Sequence, residues 1–282
     1  MDEIVVGNYR FELFWIWKLV RESLCCSQDG QDCNRTLDIQ AIIFWIMKLL
    51  FVYTCRGVQY GLEPKADILI SAENCYNNNM SKIKVTAGMA MSIDGFTAGL
   101  NQSFEKPFGD NFDSDLLDRW MFAEPEKHKH KKEIDAILDA GAFIMGNNMF
   151  GPKDRRDKPE WKGWWDDNPP YHAPVFVLSH TEREPIEMEG GTTFIFVTDG
   201  IESALSKAKV AAGNRNVKIM GGANTVNQYL KAGFIDELWL HIAPVTIGAG
   251  TRLFEGVPDL NLEPIEVSGT SLVTHIRYKV IK

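Results

Sequence analysis

The sequence is short of several things, and each shortage narrows what it can be. No cysteine lies beyond Cys75; the five are Cys25, Cys26, Cys33, Cys55 and Cys75. No two of them have CxxC spacing and their number is odd, so neither a zinc ribbon nor a closed disulfide framework is implied. The cysteine-free remainder suits a reducing compartment. Positive charge is also scarce: 30 Lys and Arg against 38 Asp and Glu leave a formal net charge of -8. That excludes a general nucleic-acid binder, which carries a basic face, but not a local basic pocket for an anion. No apolar run reaches the ~20 residues of a membrane-spanning helix. The burst over residues 39–55 comes nearest and is interrupted by Lys48. The opening "MDEIVVGNYR" has no basic start or cleavage site, so it is not a secretory leader. There is no internal repeat and no GxGxxG.

What is present divides in two. Residues 1–80 carry all the cysteines and two apolar, tryptophan-containing bursts, "FELFWIWKLV" and "AIIFWIMKLLFVYTC", with no clear sheet element. They read as an atypical extension, disordered or mis-started, with a membrane-proximal anchor and a folded accessory segment as the other readings. Residues 81–282 alternate strand and helix. "KIKVTAGMAMS", "AFIMG", "APVFVLSH", "TTFIFVT" and "VKIMG" read as short buried strands. "DSDLLDRWMFAEPEKHKHKKEIDAILDAG" has helical spacing broken near Pro125, and "GIESALSKAKVAAG" and "ANTVNQYLKAG" are helices stopped by glycine. "DELWLHIAPVTIG" and "EPIEVSGTSLVTHIRYKVI" read as two long strands closing the sheet antiparallel. The expected class is α/β, a mixed and mostly parallel sheet with helices on both faces.

Two strand ends stand out. "IMGGANT" runs an apolar strand through Gly221 and Gly222 straight into a helix, and "FIMGNNMF" does the same at Gly146. Ligands of open parallel sheets sit beyond the carboxyl ends of strands. Glycine there lets a ligand reach the backbone, and a helix N-terminus favours an anion. Gly221 and Gly222 are candidates for close approach to a dinucleotide pyrophosphate, with Ala223, Asn224 and Thr225 offering amides and short side chains. A plain strand-to-helix turn is the competing reading. "GNNMF" and "LSH" add polar residues that suit a ribose or phosphate or an ordinary cap. The tryptophans of "GPKDRRDKPEWKGWWDDNPPYH" read as core or interface packing before ring stacking. His128 and His130, inside "EKHKHKK", read as a solvated face with no metal site, and His241 and His275 as structural.

In this order the motifs "VTAGMAMSIDGFTAG", "FIMGNNMFG", "VFVLSH" and "KIMGGANTVNQYLKAGFIDELWLHIAPVTIGAGTRLFEG" resemble the reductase domain of bacterial riboflavin biosynthesis proteins, the RibD C-terminal domain, which shares the dihydrofolate-reductase-like fold. The resemblance covers about residues 82–282. It implies a cytoplasmic, homodimeric NADPH-dependent reductase, with NADH not excluded. The substrate would be a small heterocyclic or ribityl-pyrimidine-like C=N or C=O compound, as for a 5-amino-6-(5-phosphoribosylamino)uracil reductase. A non-catalytic nucleotide-binding or structural protein is the alternative, and no nucleic-acid or membrane partner is expected. The resemblance further implies that Gly146, Asn147 and Asn148 line the adenosine-phosphate end and that Ser179 and His180 lie near the 2′-phosphate. Gly221 to Thr225 would hold the pyrophosphate. Ala90 and the segment Ser92 to Gly95 would edge the nicotinamide and substrate, with Asp94 as the candidate catalytic proton source. Asn147 stands where folate reductases have a basic residue, leaving Lys153, Arg155, Arg156 or His180 to supply charge. Their helix acid has two candidates here, Asp115 and Asp118.

Overall fold

A computed structural model of the chain describes residues 3–6, 9–12 and 83–282. The chain divides into two compact units, Met1–Ala66 and Asp67–Lys282. In the first unit, strands β1 (Glu3–Val6) and β2 (Tyr9–Glu12) form an antiparallel hairpin in the register Val6↔Tyr9 and Glu3↔Glu12. The sequence reading expects no sheet element there. In sequence the two strands are separated by Gly-Asn, a pair that signals a hairpin between β-branched and aromatic runs. The expected boundary at residues 80–81 and the apolar burst over residues 39–55 lie outside the described residues.

The second unit is built on strands that are apolar on both faces. β3 (Val85–Ser92), β5 (Ala142–Gly146), β6 (Pro174–Leu178), β8 (Thr193–Val197), β9 (Val217–Gly221) and β10 (Glu237–Ala243) run mutually parallel. β7 (Ile186–Glu187) closes one edge antiparallel to β8. At the other edge β12 (Asn261–Gly269) and β13 (Thr274–Ile281) form an antiparallel pair, with β13 against β10. The sheet order is β12-β13-β10-β3-β9-β5-β6-β8-β7, the expected mixed and mostly parallel arrangement. One detail differs. "EPIEVSGTSLVTHIRYKVI" is a hairpin, folded at "GTSL", where the Thr270 amide donates to the Val273 carbonyl at 2.9 Å. Gly, Ser and Thr together supply the turn.

Alternate residues feed opposite faces. Val85, Ala87, Met89 and Met91 pack with Ala204, Leu205, Ala208 and Ala212 of the helix Ile201–Ala212 and with Val226, Tyr229 and Leu230 of the helix Ala223–Lys231. The first of these presents alanines, so it can approach the sheet closely. Phe143, Met145, Val175, Val177 and Phe194 look the other way and are covered by Phe150, Trp161, Trp165 and Tyr171. On that same side, α1 (Asp115–Phe122), a 3-10 turn (Glu126–His130) and α2 (Lys131–Leu138) follow one another, and α1 packs on β3 and β10. Continuing in chain order, α3 is the short turn Asn147–Phe150, α4 is Ile201–Ala212 and α5 is Ala223–Lys231. A two-stranded ribbon pairs β4 (Phe96–Ala98) with β11 (Thr251–Arg252).

One departure from regular pairing positions the site. β3 bonds β9 only at Val85↔Val217, Thr86↔Lys218 and Ala87↔Ile219, whereas its pairing with β10 continues to Ser92↔Ala243. Past Ala87 the two central strands part, and the sheet opens toward its carboxyl edge.

Candidate functional site

The parallel strands end together, at Ser92, Gly146, Leu178, Gly221 and Ala243, along one edge of the sheet. The sequence suggests one reason for the three junction glycines; the structure gives three. A Cβ on Gly146 would collide with Thr225 Oγ1, so this residue is bare to admit a side chain of the protein itself. Gly221 has φ +121°, a conformation L side chains rarely adopt, and a Cβ there would meet Met89 Sδ at 3.2 Å. Gly222 has φ -66° and nothing within 4 Å of a Cβ. Packing does not require glycine at 222, and the space above it is open; the Gly221–Gly222 peptide bond is cis.

Gly222 also caps α5. No side chain bonds the first turn of that helix, and amides at a helix start have no intrahelical acceptor. The Gly222 carbonyl takes the amides of Thr225 and Val226 at 3.0 and 3.2 Å, which leaves those of Ala223 and Asn224 facing the opening. Asn224 is exposed, while Thr225 is buried beside Gly146. The expected ligand contact from Thr225 is therefore corrected: its hydroxyl fills the notch at Gly146 and its amide is already used.

Gly146 leads directly into Asn147 and a cavity of about 420 Å³ lined by Asn147, Arg156, Ser179 and Arg183, with Asp157, Glu182 and Glu184 also on its wall. Asn147 Nδ2 donates to Ser179 Oγ and Asp157 Oδ1, each at 3.4 Å. Arg156 donates to the side chain of Asn148. Two buried atoms here, Asn147 Oδ1 and Arg156 Nε, have no partner. Buried polar groups are nearly always bonded; the nearest charge to Arg156 Nε is Asp157 Oδ2, at 3.9 Å. Of the four candidate cations only Arg156 lines the cavity. Arg155 lies over Phe104, 3.6 Å from its ring centre, and Lys153 is exposed. His180 is exposed and outside the lining, next to Ser179, which is part of it. Arg183 donates to the carbonyls of Arg156, Pro159 and Trp161 and so holds the wall together. The tryptophans pack inward: Trp165 stacks on Phe194 and Trp164 on Phe104.

At the end of β3 the expectations hold less well. Ala90 is half-buried and faces the gap between β3 and β9. Ser92 is fully buried; its hydroxyl donates to Asp94 Oδ1 at 2.5 Å and accepts from the Phe96 amide at 3.0 Å. It cannot touch a substrate. Asp94 also accepts from the amides of Ile247 (3.1 Å) and Gly248 (2.8 Å). Ser92 first, and then these amides, hold its carboxyl below the usual range. A carboxylate stabilised in its charged form is a poor proton donor, so Asp94 is corrected from proton source to a brace tying the turn after β3 to the loop after β10. Gly95, at φ +87°, makes that turn possible. Ile93, within the segment expected to edge the substrate, is 67% exposed.

Asp115 and Asp118 differ in how the face that α1 buries treats them. Leu117 and Trp120 point inward. Asp118, beside them, is half-buried and its pKa is pushed up to about 6 by burial and by the charge of Asp115, which is exposed. The i, i+3 spacing of Leu117 and Trp120 was the available signal.

His130, expected on a solvated face, is buried. It joins a chain in which His241 Nδ1 meets His275 Nδ1 at 2.7 Å and His275 Nε2 meets His130 Nδ1 at 2.9 Å. Burial holds His241 at about 3 and His275 at about 4, so both are neutral at physiological pH. No helix among the described residues is long and apolar enough to cross a membrane.

Comparison with known proteins gives a consistent result. Residues 83–275 match the model of the RibD C-terminal domain. The uncharacterized protein YyaP of Bacillus subtilis (strain 168) is 25% identical over 191 residues, 67% of this chain and 89% of YyaP. Among solved structures, the diaminohydroxyphosphoribosylaminopyrimidine deaminase/5-amino-6-(5-phosphoribosylamino)uracil reductase of Thermotoga maritima aligns with a TM-score of 0.46 at 14% identity. That alignment covers 71% of this chain and 57% of the Thermotoga protein. A pyrimidine reductase-like protein from Corynebacterium diphtheriae aligns with a TM-score of 0.42 at 17% identity, covering 73% of this chain and 94% of that one.

Proposed function

Because the chain belongs to the RibD C-terminal domain family, we propose that it is an NADPH-dependent reductase acting on a C=N or C=O of a small heterocyclic or ribityl-pyrimidine-like substrate. The observation that carries this reading is the open space at Gly222, faced by the first amides of α5. An anionic pyrophosphate suits that place. The unpartnered Asn147 Oδ1 and Arg156 Nε fit the polar adenosine-phosphate end of the same cofactor. In this reading Ala223 and Asn224 hold the pyrophosphate through their amides. Asn147, Asn148, Ser179 and Arg156 hold the far end, and Ala90 borders the ring in the gap beside β3. The dihydronicotinamide supplies a hydride when bound.

What remains for the protein is alignment and a proton. Asp118 fits the second task. Its pKa, pushed up to about 6, keeps it protonated in mildly acidic solution, and it sits on the helix that covers β3 and β10. Asp94 holds the turn that carries Ile93 over the substrate end. Two measurements test the reading: quenching of tryptophan fluorescence by NADPH, and oxidation of NADPH by a panel of pteridines, quinones and ribityl-pyrimidines. Absence of quenching at millimolar NADPH sinks it. Quenching with no turnover on the whole panel supports a non-catalytic nucleotide-binding protein instead.

Asp118 allows a test that needs no substrate. Its folded pKa of about 6 lies above the ordinary 3.8. The folded chain therefore binds more protons than the unfolded one between these values, and stability falls as pH rises through that window. The full shift would correspond to about 3 kcal/mol; the side chain is half-exposed, and solvent screening reduces this to about 1 kcal/mol. Asp118→Asn should thus raise the melting temperature at pH 7 and leave it unchanged at pH 3.5. In the enzyme, activity should fall with increasing pH above about 6, and Asp118→Asn should remove that limb and slow turnover by tenfold or more. Equal melting temperatures at both pH values would show that Asp118 titrates normally.

A further inference from the structure

His130 ends the 3-10 turn, Glu133 lies three residues later in the first turn of α2, and His275 lies on β13 beneath both. All three are buried, at 2%, 7% and 3% exposure. One ring nitrogen of each histidine and one carboxylate oxygen of Glu133 lie within 4.8 Å of one another. None of these residues belongs to the cofactor edge described above. We propose that His130, Glu133 and His275 form a site for a divalent transition-metal cation of the zinc type, independent of the reductase reading.

Three observations support the assignment. The first is the donor set: two imidazoles and one carboxylate are a set that zinc takes, with a water in the fourth position. His275 Nε2 and His130 Nδ1 are 2.9 Å apart, and nitrogens about 2.0–2.1 Å from a tetrahedral zinc lie roughly 3.3 Å apart. For the two imidazoles a ring adjustment of a few tenths of an ångström is enough; the donor set as a whole, spread over up to 4.8 Å, closes further by side-chain rotation of Glu133. The second is the surroundings of the donors. His275 Nδ1 is bonded to His241, His130 Nε2 to Thr270 Oγ1 at 3.3 Å, and Glu133 Oε1 to Ser268 Oγ at 2.8 Å. Each candidate ligand thus has an outer partner of the sort that orients metal ligands. The third is the charge of Glu133. It accepts one hydrogen bond, from Ser268, and makes no ion pair among the described residues. A buried carboxylate is stable when paired with a cation or bound to a metal. Sequence spacing alone does not reveal this set, because His275 comes from a strand 142 residues beyond Glu133.

The test uses the full chain, stripped of metal with a chelator and titrated with Zn²⁺, then loaded with Co²⁺ for visible spectroscopy. One equivalent should bind, and the cobalt form should show the absorption of a four-coordinate nitrogen–oxygen site. It should lack the near-ultraviolet thiolate bands that cysteine ligands would add. Glu133→Gln preserves side-chain size and an acceptor for Ser268, and should weaken Zn²⁺ binding at least tenfold. His128→Ala removes an exposed histidine of the same turn and should leave affinity within about twofold. The proposal is overturned if the chain binds no stoichiometric Zn²⁺, if thiolate bands dominate the cobalt spectrum, or if Glu133→Gln binds as tightly as the parent. It also fails if His128→Ala alone abolishes binding.

Discussion

Gly222→Val is expected to weaken NADPH binding about a thousandfold while the domain stays folded. The two halves of that outcome have separate causes. The backbone at 222 has φ -66°, which valine adopts, and nothing lies within 4 Å of the new Cβ. Folding therefore loses little. The branched side chain instead fills the opening in front of the Ala223 and Asn224 amides. A charge-assisted hydrogen bond contributes roughly 1.5–3 kcal/mol, and losing two corresponds to a factor of about 10²–10⁴ in affinity. Neighbouring glycines serve as contrasts. Gly146→Ala displaces Thr225 and Gly221→Ala must adopt a positive φ, so both should lower stability before they lower affinity. A fluorescence titration with NADPH, beside thermal unfolding of each variant, reads all three. A folded Gly222→Val chain that binds NADPH as the parent does would reduce the junction to a turn.

Trp120→Ala should cost about 3–5 kcal/mol of stability, the range for truncating a fully buried tryptophan. Trp120 is 0% exposed and its indole N–H donates to the Leu117 carbonyl at 3.1 Å. Its ring lies 4.7 Å from that of His275, 4.9 Å from that of His241 and 5.7 Å from that of His130. It is the common neighbour of α1, the 3-10 turn, β10 and β13. Its removal leaves a cavity walled by imidazoles, which cannot collapse without breaking their own hydrogen bonds. Urea unfolding should show a lower midpoint with little change in slope. Trp120→Phe, which keeps a ring in place, should lose markedly less. A loss below 1 kcal/mol in the alanine variant would show that α1 is held from elsewhere.

Much of the fold was legible because it rests on short-range rules. The parallel strands are short and mainly apolar, five to eight residues each, and Gly213 and Gly233, both at positive φ, end helices where the sequence places them. The errors come from tertiary context. "EKHKHKK" has the composition of a solvated face, yet the turn after Pro125 aims His130 at β13, a partner 145 residues away. Ser92 and Asp94 stand out in sequence as a turn after a strand. What they are special for depends on Ile247 and Gly248, whose amides reach Asp94 from a distant loop. The three junction glycines look alike in sequence and differ only in what stands opposite them. Gly7-Asn8 was a readable hairpin signal hidden in a segment whose composition drew attention to its cysteines.

The position of β3 has a consequence for how the chain is made. It is the first strand of the domain to be synthesised, yet it lies between β9 and β10, and Val85 finds Val217 only after about 130 further residues have been added. At ~5–20 residues per second, that is a wait of roughly 7–26 seconds. Throughout it Val85, Ala87, Met89 and Met91, all buried in the finished domain, have no neighbour on either side. The intervening strands β5, β6 and β8 pair with one another in the meantime and form a half-sheet whose β5 edge is open. The nascent chain therefore carries an unpaired edge and an unpaired apolar strand until translation reaches β9 and β10.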